Sequence, residues 1–546
     1  MVLPSVPPPP DEPGWSRPSE RARPGLPTWL LPALLLVVLV ALAVLGMLSY
    51  TQRQEVERLR ADLTEAEERI AELEAGRAAG GGGLGELLDD LFGGGDGDLD
   101  GLLDGLLDGD LDLEGLFGGL LGGAGGLEDL LGGAGGADLT RCLAGGGADG
   151  MLGGDDPIVA DDLDEQVDAA VERVEAMRGL AFQEPVETEL VPTAEFVARI
   201  TELVSEDYTA TDADRDRRVL AALGAVERDA DMRALILDLV GEQAAGFYST
   251  DTGELVVGAD DPAAPLRPAG LVILAHELQH AAADQNLGLP VDHHDGDGGD
   301  EARAGLALVE GDATLFMQQF ALGALELMDQ LAMATDPSVA ASQEQITGFP
   351  EYLQRELVFP YTEGMAFVCS LYADGGWPAV DAAYDALPTT TAQILWPERY
   401  TAGEPAVTVA GLGAPGGSWS QARTTTFGAA ELLWLFSAPG DDAGAGLDAP
   451  RERAAAWAGG QLELWTDGAD SAVGIALAQR ADEPDLCASM AAWHAAAFPD
   501  AQSVSTTGDE ALAARGQDQH TVVVCAGDRV RVGVAPDLAT ARQVAG

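Results

Sequence analysis

The sequence predicts an α+β fold in which helices dominate and a small β-sheet completes the core. Three observations predict it. Apolar residues recur three and four apart over Phe196–Val204, Arg217–Leu239, 299–325 and 363–373, which is helical spacing. Gly246-Phe-Tyr-Ser-Thr-Asp-Thr-Gly-Glu-Leu-Val-Val-Gly258 reads as strand, turn, strand. Leu462–Trp465 and Thr521–Cys525 are short β-rich runs, expected to close a small sheet with that hairpin.

In chain order, residues 1–28 are Pro-rich and polar and are expected to be a disordered cytoplasmic tail. Trp29 to Leu48 is an uncharged apolar run of 20 residues, long enough to span a bilayer as one helix, with Trp29 and Tyr50 at its two interfaces. A cleaved signal peptide and a buried helix are the alternatives. Arg17, Arg21 and Arg23 before the span nearly balance Arg53, Arg58 and Arg60 after it. We expect the N-terminus inside, so that one span exports the large acidic domain.

Residues 50–76 carry Val56, Leu59, Leu63, Ala66, Ile70 and Leu73 in alternating steps of three and four. This seam suits a short parallel coiled coil, and hence a homodimer through the stalk, or a single stalk helix. Residues 77–156 are low-complexity Gly, Leu and Asp and are expected to be a flexible tether. Residues 157–440 would form the core and 441–546 a C-terminal α/β extension.

Net charge is −63, from 92 acids against 29 basic residues, which excludes nucleic acid as a partner. Calcium binding by the Asp/Gly runs, including Asp295 to Glu301, is the lesser alternative to solvated acid, since no complete calcium-loop pattern appears. Four cysteines suit an oxidising compartment. Cys487 and Cys525 are the expected disulfide; Cys142–Cys369 is the weaker pair, because Cys369 sits in an apolar run where a core thiol is equally at home.

The chemistry concentrates in Leu271-Val-Ile-Leu-Ala-His-Glu-Leu-Gln-His280, an H-E-x-x-H motif inside an apolar helix-like run. Residues four apart share one helix face, so His276 and His280 can present two imidazoles to one metal ion with Glu277 beside them. The bland alternative is a buried helix with hydrogen-bonded histidines. A zinc site needs a third protein ligand and an open position for water. Glu310, set among Leu306, Leu308, Val309 and Leu315, is the leading candidate, because an acid there is costly to bury unless it is paired or ligates a metal. His293 and His294, in a loop rich in Asp and Gly, are the alternatives.

His-Glu-Leu-Gln-His-Ala-Ala-Ala-Asp, residues 276 to 284, resembles the H-E-L-x-H-A-x-x-D helix of thermolysin-like peptidases, and Glu310-Gly-Asp-Ala resembles the second helix of gluzincins, whose third zinc ligand is Glu. Over about residues 160 to 500 the longer pattern is similar to a poorly characterised group of bacterial membrane-associated gluzincin-like proteins. The pieces that carry it include Ala245-Gly-Phe-Tyr, Pro360-Tyr-Thr-Glu-Gly-Met-Ala-Phe-Val368, Gly375-Gly-Trp-Pro378 and Ile394-Leu-Trp-Pro-Glu-Arg-Tyr400.

The resemblance implies a zincin-like catalytic domain: a zinc metallopeptidase, extracytoplasmic, acting on protein or peptide substrates. Zn2+ would be held by His276, His280 and Glu310, with Glu277 as the catalytic base. It also implies that the hairpin's edge strand lies over the metal and binds substrate backbone. Asp284, one turn after His280, is placed to orient an imidazole or anchor the helix end, with an exposed acid as the alternative. Tyr361 is the candidate oxyanion donor, with a core tyrosine as the alternative. Thr314 replaces the acid that thermolysin has one turn beyond its Glu ligand, which leaves Asp312 as the candidate partner there. A degenerate fold used as an envelope binding module, and a zinc hydrolase of non-protein amides or esters, are the competing functions.

Overall fold

Helices carry most of the fold, and the longest of them build the core. The structure is a computed structural model that describes Cys142 and residues 157–546, except 161, 244, 291–298, 327–328, 331–332, 334–347, 410–411, 441–445 and 482. The tail, the apolar span 29–48, the stalk 50–76 and nearly all of the tether lie outside the described residues. So do His293, His294 and most of the Asp295 to Glu301 run. Among the described residues, no helix is long and apolar enough to cross a membrane.

The longer helices are α1 (Leu163–Arg178), α2 (Thr193–Asp207), α3 (Ala210–Leu223), α4 (Met232–Gln243), α5 (Pro268–Leu287), α6 (Asp300–Ala324), α7 (Glu351–Gly375), α8 (Trp377–Asp385), α9 (Ala429–Ser437), α10 (Leu486–Ala497) and α11 (Leu538–Ala545). The run expected as one helix over Arg217–Leu239 is two. Gly224, at φ 76, takes the left-handed conformation that ends α3. In the other direction, α7 starts twelve residues before the expected 363 and passes through Pro360. Pro costs the helix a hydrogen bond, which burial of Tyr352, Leu353, Leu357 and Phe359 offsets.

Two sheets form where one was expected. The hairpin β2 (Gly246–Tyr248) and β3 (Glu254–Ala259) joins β1 (Glu187–Pro192) in a three-stranded sheet of order β1-β3-β2, with β1 parallel to β3. Leu462–Trp465 and Thr521–Cys525 instead lie in a separate seven-stranded antiparallel sheet of order β4-β5-β6-β10-β9-β8-β7. Its strands are β4 (Ser420–Thr426), β5 (Trp457–Asp467), β6 (Asp470–Gln479), β7 (Gln502–Ser503), β8 (Glu510–Arg515), β9 (His520–Ala526) and β10 (Arg529–Ala535). The expected boundary at 440/441 therefore falls inside this unit. The mixed α+β class stands.

Helix α6 packs along α7, and α5 packs on α6. The α6–α7 crossing is a backbone contact: a Cβ on Gly364 would lie 2.2 Å from the Ala307 carbonyl oxygen, and one on Gly311 would lie 2.3 Å from Gly364. Only glycine permits that approach, and it draws Tyr361 on α7 toward Glu310 on α6. Two disulfides form. Cys487–Cys525 ties α10 to β9, and Cys142–Cys369 ties the end of the tether to α7. The Cys369 thiol is thus bonded, and the buried Cys142 carbonyl accepts Gln319 Nε2 at 2.7 Å.

Candidate metal centre

Helix α5 begins with Pro268, whose missing N–H is no loss at a helix start, and stops at Gly288, at φ 73. Between them Leu271, Val272, Leu274, Ala275, Leu278 and Ala281–Ala283 are buried, so the helix runs through the core. His276, Glu277, Gln279 and His280 are carried inside with them.

The spacing of four brings His276 and His280 together, with their Nε2 atoms 3.0 Å apart. Glu310 reaches across from α6, and its Oε2 lies 3.4 Å from each of those nitrogens. The three side chains form a buried group whose ligand atoms all lie within 4.8 Å of one another. Such a group can bind a metal ion. Neither oxygen of Glu310 accepts a well-formed hydrogen bond, and His276 Nδ1 and Glu277 Oε1 also lack one. A buried carboxylate with only long contacts to two imidazoles is costly, and a cation between the three groups would account for it. A Lewis-acidic ion of the zinc type suits a His-His-Glu donor set.

The electrostatics agree with that reading. Burial pushes the His276 imidazole down to about 4, which keeps it neutral and ready to ligate. Burial acts to lower His280, but the charge and hydrogen bond of Glu310 together with the charges of Glu277 and Asp312 outweigh it and raise that group. Glu310 itself is driven up by burial and held below the usual carboxylate range by the two imidazoles. Glu277 is pushed up to about 8, mainly by burial, against the pull of His280 and the Tyr248 N–H. A divalent cation nearby would favour its ionised form.

Strand β2 lies against this helix. A Cβ on Gly246 would approach Glu277 Cγ to 3.0 Å, so glycine lets the strand press onto the acid. By sheet order β2 is an edge, yet all three of its residues are buried. Ala245 and Ser249 bond to β3, so alternation turns the Gly246 and Tyr248 backbone the other way. The Tyr248 N–H is taken by Glu277. The expected open edge for substrate backbone is therefore already committed, at Tyr248, to the metal helix.

Asp284 accepts the Tyr248 hydroxyl at 2.9 Å, so it anchors the end of α5 to β2 and is not bonded to an imidazole. Tyr361 is fully buried, stacks 6.5 Å from His276 at 21° and faces Glu310. Burial, then the charges of Glu310 and Glu277, raise its phenol well above the ordinary value, so it stays a protonated donor. Asp312 is not a partner of Glu310. Its carboxylate is taken by Arg178, at 3.0 and 3.3 Å, and by the Tyr384 hydroxyl at 2.9 Å. Sequence reasoning missed Arg178, which lies 134 positions away with no motif to mark it.

Comparison with protein-family models, curated proteins and solved structures gives no match for this chain. The chemistry of the site itself therefore carries the functional reading.

Proposed function

We propose that this chain is a membrane-anchored zinc metallopeptidase, with its catalytic domain outside the cytoplasm. One observation supports it above the rest: His276, His280 and Glu310 converge in the core beside a Glu277 carboxyl, with their ligand atoms all within 4.8 Å of one another. A zinc ion held there would supply Lewis acidity and an acidified water at neutral pH. Glu277 is the group in place to take a proton from the attacking water and to hand it to the leaving amine. Tyr361, a buried phenol that keeps its proton, is the donor available to the negative charge that develops on the substrate carbonyl oxygen. Low dielectric around these groups strengthens each interaction.

Two disulfides in a chain with four cysteines favour an oxidising compartment. This agrees with an exported domain on the apolar span at 29–48.

The test is peptide hydrolysis by the full chain in detergent, beside Glu277→Gln. The proposal expects wild type to hold about one zinc per chain and to cleave unfolded protein, and the variant to keep zinc and lose activity by several orders of magnitude. Zinc without cleavage of any peptide would overturn the peptidase reading and favour a hydrolase of other amides or esters, or a binding module.

A further inference from the structure

Helix α1 is the first long helix after the tether, and its two ends hold the two helices that carry the metal ligands. Near its start, Gln166 accepts the Leu266 N–H at 2.6 Å and donates to the Leu266 carbonyl at 3.1 Å, just before α5 begins. At its last residue, the Arg178 guanidinium forks onto Asp312 of α6, with Nε to Oδ1 at 3.3 Å and Nη2 to Oδ2 at 3.0 Å. Both side chains are buried, each about 1% exposed. Asp381 meets the guanidinium at 2.6 Å, and the Trp377 ring lies 4.3 Å below it. Tyr384 closes the cluster on Asp312.

Asp312 follows Glu310 by two residues, about 200° around a helix at 3.6 residues per turn. The clamp thus grips the back of the turn whose front presents Glu310. A small rotation of α6 about its axis would carry the Glu310 carboxylate away from His276 and His280. A two-point fork resists rotation in a way that a single point charge does not.

We propose that Arg178 is a positioning residue for the metal centre: through Asp312 it fixes the rotation of α6, and so makes metal affinity depend on the first helix after the tether. The inference rests on the metal-site reading above. The competing explanation is charge neutralisation alone, in which Arg178 only spares Asp312 from being buried unpaired.

The two separate in a set of full-chain variants studied in detergent: Arg178→Met, Arg178→Lys and the double variant Arg178→Met/Asp312→Asn. Zinc affinity is read by competition with a chromophoric chelator, coordination by the visible spectrum of the Co2+ form, and stability by melting of the metal-free protein. Arg178→Met should weaken zinc binding about 10- to 100-fold, the loss usual for an outer partner of a ligand, and shift the Co2+ bands. Arg178→Lys should fall between it and wild type. The double variant relieves the unpaired charge, so it should regain the metal-free melting temperature and keep the affinity loss, including where Arg178→Met fails to fold. Restoration of affinity together with melting temperature would overturn the proposal, as would Arg178→Met binding zinc within threefold of wild type. A wild type that binds no metal sinks the centre itself, and so differs from a failure confined to Arg178.

Discussion

The α5–α6 pair and the seven-stranded sheet both bury acids, but they treat them differently. In the sheet, Glu463 is 5% exposed and accepts Gln461 Nε2 and Trp465 Nε1, each at 3.1 Å. Glu510 accepts Arg542 and Thr507. In the helix pair, Glu310 is wholly buried and its oxygens accept no well-formed bond. The acids of the sheet are satisfied by their neighbours; this one is oriented toward two imidazoles. The difference lies in Glu310: Asp312 and Asp300 on the same helix accept bonds from Arg178, Tyr384 and Thr391, while Glu310 is turned toward the two imidazoles.

The largest effect should come from removing the charge on each side of that contrast. Glu310→Gln should lose stoichiometric zinc, a larger drop than the 10- to 100-fold of an outer partner. Glu463→Gln should keep its zinc and lose about 1–3 kcal/mol of stability, because its one oxygen can accept only one of the two bonds that reach separate carboxylate oxygens. Metal analysis and melting of both variants would break the comparison if Glu463→Gln also lost its metal.

The disulfides sharpen it next. Cys142–Cys369 spans 227 residues and Cys487–Cys525 spans 38. On loop entropy alone, replacing the longer pair with serines should cost roughly 1.5 kcal/mol more than replacing the shorter. Denaturant unfolding measures the difference, and equal costs would mean that closure entropy is not what these bonds supply. A chain shortened to begin after 156 would leave Cys369 without its partner and should resemble the serine variant.

Gly364→Ala tests the crossing that brings Tyr361 to Glu310. The added methyl meets the Ala307 carbonyl, so stability should fall by about 1–3 kcal/mol. Activity should fall with it, because α6 and α7 must separate. An unaffected melting temperature would show that the helices yield there.

A further effect is a dependence on pH at the start of α6. Asp300 is buried against the Thr391 hydroxyl and N–H, with Glu431 adding negative charge and Arg303 opposing it. Burial, above all, pushes its carboxyl up to about 7. A folded-state value above the unfolded one means that the folded protein holds this proton more tightly. Its contribution is fully present below the unfolded value and is lost as pH rises through about 7. Asp300→Asn should therefore lose less stability than wild type between pH 5 and 8. Each tenfold difference in proton affinity between the folded and unfolded chain is worth about 1.4 kcal/mol, which bounds the effect. Melting curves at the two pH values decide it, and parallel losses would remove Asp300 from the account.

Much of the centre was legible because its signals are local or strongly typed. Two histidines four apart on an apolar run need only helical geometry to converge, and an acid inside a second apolar run stands out. Helix content followed from periodicity for the same reason. What escaped was long-range. Periodicity reports which face of a strand is buried but not its neighbour, so Leu462–Trp465 and the Phe247 hairpin were expected in one sheet and lie in two. Arg178 carries no motif, and its partner is set by how α1 docks. Gly311 and Gly364 read as ordinary helix glycines until the crossing shows why each is there. Asp312 illustrates the limit best: it is close to Glu310 in sequence, yet the helix turns it to the other side, where Arg178 claims it.

The central claim is that His276, His280 and Glu310 hold one metal ion. The most direct test is the zinc content of the full chain after chelation and zinc readdition, beside His280→Ala and Glu310→Gln. About one zinc per wild-type chain is expected, and close to none in either variant. A folded wild-type protein that takes up no zinc, or variants that keep it, would contradict the account at its base.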